Sequence, residues 1–240
     1  MRLNSAFVSI FSFVSTVLSG HLREKDRSWF PTNGTSDGVQ YNDQIACAFW
    51  ERTDGPSITF ATATFNALAP SGQHGYAVWV RIDNNEMCPD SWLIAGIVAF
   101  VTNNSETIYK AWYEWGKEGP YYSDVTVTPK DVIRAGVTAL SPTSSAIMIK
   151  NLNSGQVNIH YLNSTRSLCG QGVSWGVFLD HVDDPIPFDT VTITNASAYG
   201  PLGSTYKAEG ANKMEIKQDN KTVTSVETEG STITIRHVYE

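Results

Sequence analysis

The octapeptide YKAWYEWG, residues 109–116, brings two tryptophans, two tyrosines, a lysine and a glutamate together. Side chains alternate along a strand, so Lys110, Trp112 and Glu114 share one face and Tyr109, Ala111, Tyr113 and Trp115 the other. An acid and a base beside an indole make either a packed β-surface with a surface ion pair or the floor of a binding cleft. Neighbouring runs repeat the pattern. In YAVWVRID, Trp79 shares a face with Arg81 and Asp83. In SWLIAG, Trp92 or Ile94 goes with Gly96, and in SWGVFLD, Gly176 goes with Phe178 and Asp180. On residue types alone the structural interpretation is the stronger, because buried tryptophans and surface ion pairs are common.

The elements that position these residues follow from the whole chain. Its 240 residues fit one large all-β domain, with a net charge of -7 and only 17% charged residues. The acidic balance argues against nucleic acid as a partner, which would need clustered Lys and Arg. Short alternating runs begin near residue 41, and SDVTVTP is among them. Turn signals such as DGPS, SGQHG, DNNE and NSGQ separate them. That rhythm predicts a β-sandwich or barrel.

Residues 1–20 read as a secretory signal peptide. Arg2 supplies the charge, Ala6 to Leu18 the apolar run, and Ser19 and Gly20 the small residues near a cut. The run is too short to span a membrane, so no span is expected after its removal. Residues 21–40 read as a flexible leader or short pro-segment, and 41–240 as the sandwich domain. Sequons at Asn33, Asn103, Asn163, Asn195 and Asn220 agree with export and mark candidate glycosylation sites. Three cysteines, Cys47, Cys88 and Cys169, leave one unpaired in an oxidising compartment. The five histidines are scattered and no metal-ligand spacing occurs, so neither a metal nor another cofactor is expected.

Several motifs, in order, resemble the fungal glutamic peptidases, or eqolisins. WVRID followed by Cys88, then AWYEW, then a second cysteine before a tryptophan-bearing strand, then PIPFDTVTITNA, match the family's sequence of motifs. DVIRAGVTA, IKNLNSGQ and the closing segment MEIKQDNKTVTSVETEGSTITI extend the match over roughly residues 41–240. The resemblance implies a concanavalin A-like sandwich of two roughly seven-stranded antiparallel sheets, with a substrate cleft on a concave face. It implies a Cys88–Cys169 disulfide and leaves Cys47 as a buried free thiol. It also makes Trp79, Asp83, Trp112 and Glu114 the counterparts of cleft-lining residues.

The departures bear on function. In the family a glutamate acts as general base on water and a glutamine amide stabilises the oxyanion. Ile94 stands at the glutamine position, with Gly96 in register, and Phe178 at the glutamate position. Asp180 lies on the face of Phe178 but about 7 Å further along the strand. Losing an oxyanion donor costs about 10²–10³ in rate, and losing a general base about 10²–10⁴. Lys110 replaces an acid and Arg81 a glycine, so the expected cleft is of mixed charge.

The expectation is therefore a secreted monomer that has lost the acid endopeptidase mechanism. It would bind a peptide, glycan or small molecule on Trp79, Arg81, Asp83, Trp92, Ile94, Lys110, Trp112, Glu114 and Phe178. The alternative is altered chemistry on a small molecule (hydrolysis, isomerisation or cyclisation), with Asp83 and Glu114 moving protons beside Arg81 and Lys110. A residual acid peptidase using Glu114 or Asp180 as base is the third reading.

Overall fold

The computed structural model describes residues 39–51, 57–71, 74–83, 88, 91–102, 104–179 and 187–238. The expected signal peptide, nearly all of the leader, Asn33, Asn103 and Asp180 lie outside the described residues.

The strands in chain order are β1 (Val39–Asn42), β2 (Ile45–Glu51), β3 (Phe60–Asn66), β4 (Tyr76–Asp83), β5 (Trp92–Val101) and β6 (Thr107–Trp115). Then come β7 (Glu118–Tyr122), β8 (Val132–Ser141), β9 (Ser144–Asn151), β10 (Val157–Asn163), β11 (Gly172–Leu179) and β12 (Thr190–Tyr199). The last are β13 (Thr205–Lys207), β14 (Asn212–Gln218), β15 (Lys221–Thr222), β16 (Thr224–Glu229) and β17 (Thr232–His237). Among the described residues, one sheet has nine strands in the order β1-β14-β2-β11-β4-β5-β6-β7, with β15 on β14. The other has eight in the order β10-β9-β8-β3-β12-β17-β16, with β13 on β12. All pairings are antiparallel except β1 with β14. No helix of the described residues is long and apolar enough to cross a membrane.

The sandwich expected from the alternation is present, with three differences. The sheets hold nine and eight strands rather than seven each, because short edge pieces such as β1, β13 and β15 join them. Val39 and Gln40, assigned to the leader from sequence, already belong to β1. SDVTVTP forms no strand. Val125 and Val127 are buried against the core, but Thr126 gives its N–H to Gln156 Oε1 at 2.9 Å instead of to a neighbouring strand.

The core lies between the sheets. Val78, Val80 and Ile82 of β4, Leu93, Ala95 and Ile97 of β5, and Trp175 of β11 face Phe65, Ile133, Ile147, Ile149, Ile193 and Ile235 of the second sheet. Trp175 Nε1 donates to the Thr62 carbonyl oxygen at 3.0 Å, which ties the sheets together where the indole would otherwise bury a bare donor. At one open edge, His160 of β10 stacks on Tyr113 of β6, with ring centroids 4.2 Å apart, and its Nε2 lies 3.2 Å from Ser123 Oγ.

Cys88 and Cys169 are joined, 81 residues apart in sequence, with Cα atoms 6.4 Å apart. Closing a loop of that length stabilises the fold by about 4.5 kcal/mol in the chain-entropy model. Replacing both cysteines by alanine should lower the urea midpoint by a corresponding amount; an unchanged midpoint would mean that Asp83, described below, holds the loop alone. A second expectation concerns pH. Burial holds the His160 imidazole below its ordinary value, with Asp124 opposing. The unfolded chain therefore takes up a proton before the folded one, and this group's contribution is lost as pH falls below the ordinary histidine value. Phenylalanine at 160 keeps the stacking and should flatten that part of a stability–pH profile.

Candidate functional site

The candidate residues lie on the outer face of the nine-stranded sheet, away from the core. Antiparallel register sorts them into rows that run across the strands. One row is Phe49, Ser174, Arg81, Ile94 and Glu114. The next is Cys47, Gly176, Trp79, Gly96 and Trp112, with Tyr122 beyond. The third is Ile45, Phe178, Ala77, Val98 and Lys110. Ile94 and Phe178 thus lie two strands and two rows apart, about 13 Å along β4. The β11 residue in the row of Ile94 is Ser174.

The middle row depends on its glycines. A Cβ on Gly96 would lie 1.9 Å from the Val78 carbonyl oxygen, and one on Gly176 would lie 2.4 Å from that of Ala46. Side chains are therefore excluded on both sides of Trp79, and the indole has room above the strands. The resemblance predicts these tryptophans as stacking surface for a ligand. The structure places them deeper, with exposures of 1% for Trp79, 3% for Trp112 and 8% for Trp92. They pack with Ile45, Cys47, Phe49, Ile94, Val98, Phe100 and Met214 into a second apolar cluster, separate from the core. Ile108, Tyr122 and Phe178 form its partly exposed margin, and Lys110 is also partly exposed. Cys47 is a buried free thiol, as expected, and burial pushes it up to about 12, which keeps it protonated and unreactive.

Arg81, Glu114 and Asp83 are buried too, and each has a specific partner. Arg81 donates from Nε to Ser174 Oγ at 3.1 Å, and its guanidinium lies 6.0 Å from the Trp79 ring centroid. Burial pulls Arg81 down to about 10, while Glu51 and Asp83 oppose the change, so it stays charged near neutrality. Glu114 accepts the Trp92 indole N–H at 2.8 Å through Oε1. Asp83 ends β4 with a φ of 63°, an unusual value for a residue other than glycine. Its Oδ2 accepts the backbone N–H groups of Cys169 at 2.8 Å and Gly170 at 2.9 Å, and its Oδ1 accepts that of Gln171 at 2.8 Å. Burial pushes the Asp83 carboxyl up, and these backbone donors pull it back. Its carboxylate thus fastens the loop that carries Cys169.

A depression of about 170 Å³ opens beside this group, lined by residues that include Phe49, Glu51, Arg81, Asp83 and Ser174. Glu51, Phe49 and Ser174 were not among the residues expected from the sequence to line a site. The alternation of QIACAFWE already put Ile45, Cys47, Phe49 and Glu51 on one face. Ser174, two residues before Gly176, was likewise on the face that was singled out.

Two antiparallel-dominated sheets, a tryptophan-lined outer face and the disulfide beside it define a glutamic-peptidase-like sandwich. The chain belongs to the peptidase A4 family, whose sequence profile matches residues 44–237. It is 33% identical to aspergillopepsin-2 of Aspergillus niger over 175 residues, which is 70% of this chain and 61% of that protein. The chain thus spans less than two thirds of that relative. Scytalido-glutamic peptidase with a transition state analog inhibitor superposes with a TM-score of 0.68 at 25% identity, covering 81% of this chain and 98% of the other. Aspergilloglutamic peptidase from Aspergillus niger superposes with a TM-score of 0.60 at 31% identity, covering 68% and 99%.

Replacing Asp83 by alanine strips the acceptor from three backbone N–H groups and should cost on the order of 3 kcal/mol. Asparagine keeps one acceptor oxygen and should fall in between. Urea midpoints of the two variants test this, and a midpoint unchanged in both would remove Asp83 from its anchoring role.

Proposed function

We propose that this chain is an exported glutamic-peptidase-like protein that lacks the family's hydrolytic pair and uses its aromatic outer face to hold a ligand: a peptide, a glycan or a small molecule. One observation carries the proposal. Ile94 and Phe178, which the resemblance puts at the two catalytic positions, are hydrocarbon and pack into the outer apolar cluster. Neither side chain donates to an oxyanion or takes a proton from water. The partly exposed margin of Ile108, Lys110, Tyr122 and Phe178 offers a ligand apolar area and one cation. The disulfide fits an oxidising compartment and supports export.

Altered acid–base chemistry through Asp83 and Glu114 is less well supported. Asp83 would have to give up three backbone hydrogen bonds to serve a substrate. Glu114 is buried beneath Trp92, and Lys110 stands two rows away from it.

A transition state analog separates the readings, because tight binding of such a compound reports complementarity to the tetrahedral centre. Calorimetry with a glutamic-peptidase transition state analog and with its unreacted parent peptide should give equal affinities within about threefold. A preference of 100-fold or more for the analog, roughly the low end for working enzymes, would overturn the proposal.

A further inference from the structure

Among the described residues, strand β10 is the outermost strand of the eight-stranded sheet and pairs only with β9. Its inner-facing residues include His160, stacked on Tyr113, and Leu162, packed against the core. Its outer face carries Val157, Ile159 and Tyr161, exposed by 55%, 51% and 73%, followed on the same face by exposed Asn163. An edge strand with three exposed apolar residues is an aggregation hazard, and proteins usually guard such edges with lysine, proline or a bulge. Between residues 157 and 163 there is neither lysine nor proline, and the register with β9 is unbroken.

The guard that is present is a sequon. Asn163-Ser164-Thr165 follows Tyr161 directly, with only Leu162 between, and Thr165 is exposed. The Ser164 hydroxyl donates to Glu118 Oε1 at 2.9 Å, so the middle residue of the sequon is tied to β7 while Asn163 stays on the open face. Two residues along a strand put Tyr161 and Asn163 about 7 Å apart on one face, the reach of a single sugar ring.

We propose that Asn163 carries an N-linked glycan whose first sugar lays its apolar face on the Tyr161 ring and shields the outer face of β10. The inference rests on export of the chain and is independent of what the opposite sheet binds. In the coupling step the Asn163 Nδ2 bonds to the anomeric carbon of an N-acetylglucosamine at the end of a lipid-diphosphate oligosaccharide. The anomeric C–O bond breaks, the lipid diphosphate leaves, and the amide proton passes to base.

The other described sequons differ. Asn195 lies in the irregularity of β12 between Thr194 and Ser197, with a φ of 53°. Its Nδ2 lies 3.4 Å from Thr64 Oγ1, and Ser197 is buried. Asn220 is exposed in the turn between β14 and β15, but two residues before it stands Gln218, with no ring for a sugar to cover.

The test is glycopeptide mass spectrometry on the full chain secreted from a eukaryotic host, followed by trimming of each glycan to its first sugar. Asn163 is expected to be occupied in most molecules and Asn195 in few. The trimmed protein should show a higher urea midpoint and less aggregation than Asn163→Gln, and Tyr161→Ala should abolish that difference. An unmodified Asn163 would overturn the proposal, as would an equal stabilisation by the sugar with and without the Tyr161 ring. A chain retained inside the host would remove export and the proposal together, whereas a secreted chain bare at Asn163 removes the proposal alone.

Discussion

Strands β4 and β5 are buried on both faces, and that constraint governs the rest of the molecule. A sandwich strand ordinarily shows one face to the core and the other to water. Here the outer face carries its own apolar layer, so a charged group buried there needs a partner inside the protein. Arg81 has Ser174, Glu114 has the Trp92 indole, and Asp83 has three backbone N–H groups. Close approach of neighbouring backbone explains Gly96 and Gly176. With both positions bare, Trp79 occupies the middle row as part of a closed layer.

Much of the fold was legible in the sequence, because alternation is a direct record of which side chains are buried. YAVWVRID, WLIAGIVAFV and TIYKAWYEW gave β4, β5 and β6 with their ends nearly in place, and their faces were assigned correctly. Alternation records burial and says nothing of a hydrogen-bonded neighbour. SDVTVTP alternates because Val125 and Val127 reach the core, although no strand pairs with it. The opposite failure is β7, Glu118–Tyr122. It contains Pro120 and little alternation, and it forms because an edge strand tolerates a missing N–H on its open side.

The shared face of the candidate residues was legible in the sequence; their depth was not. Trp79, Arg81, Trp92, Ile94, Lys110, Trp112, Glu114 and Phe178 do share one face, as their spacing required. What spacing could not convey is that the tryptophans close over one another and that Asp83 turns to the loop of Cys169. A carboxylate's role depends on the donors that reach it, and these donors lie 86 to 88 residues further along the chain.

On the function proposed above, this member of the peptidase A4 family does not hydrolyse peptide bonds. The direct measurement is release of peptides from denatured casein by the purified full chain between about pH 2 and pH 6, the range in which a carboxylate base would titrate, with Glu114→Gln alongside. The account predicts no release above the buffer control for either protein. Clear release by the natural chain that disappears in Glu114→Gln would contradict it and would make Glu114 the base of a peptidase on this fold.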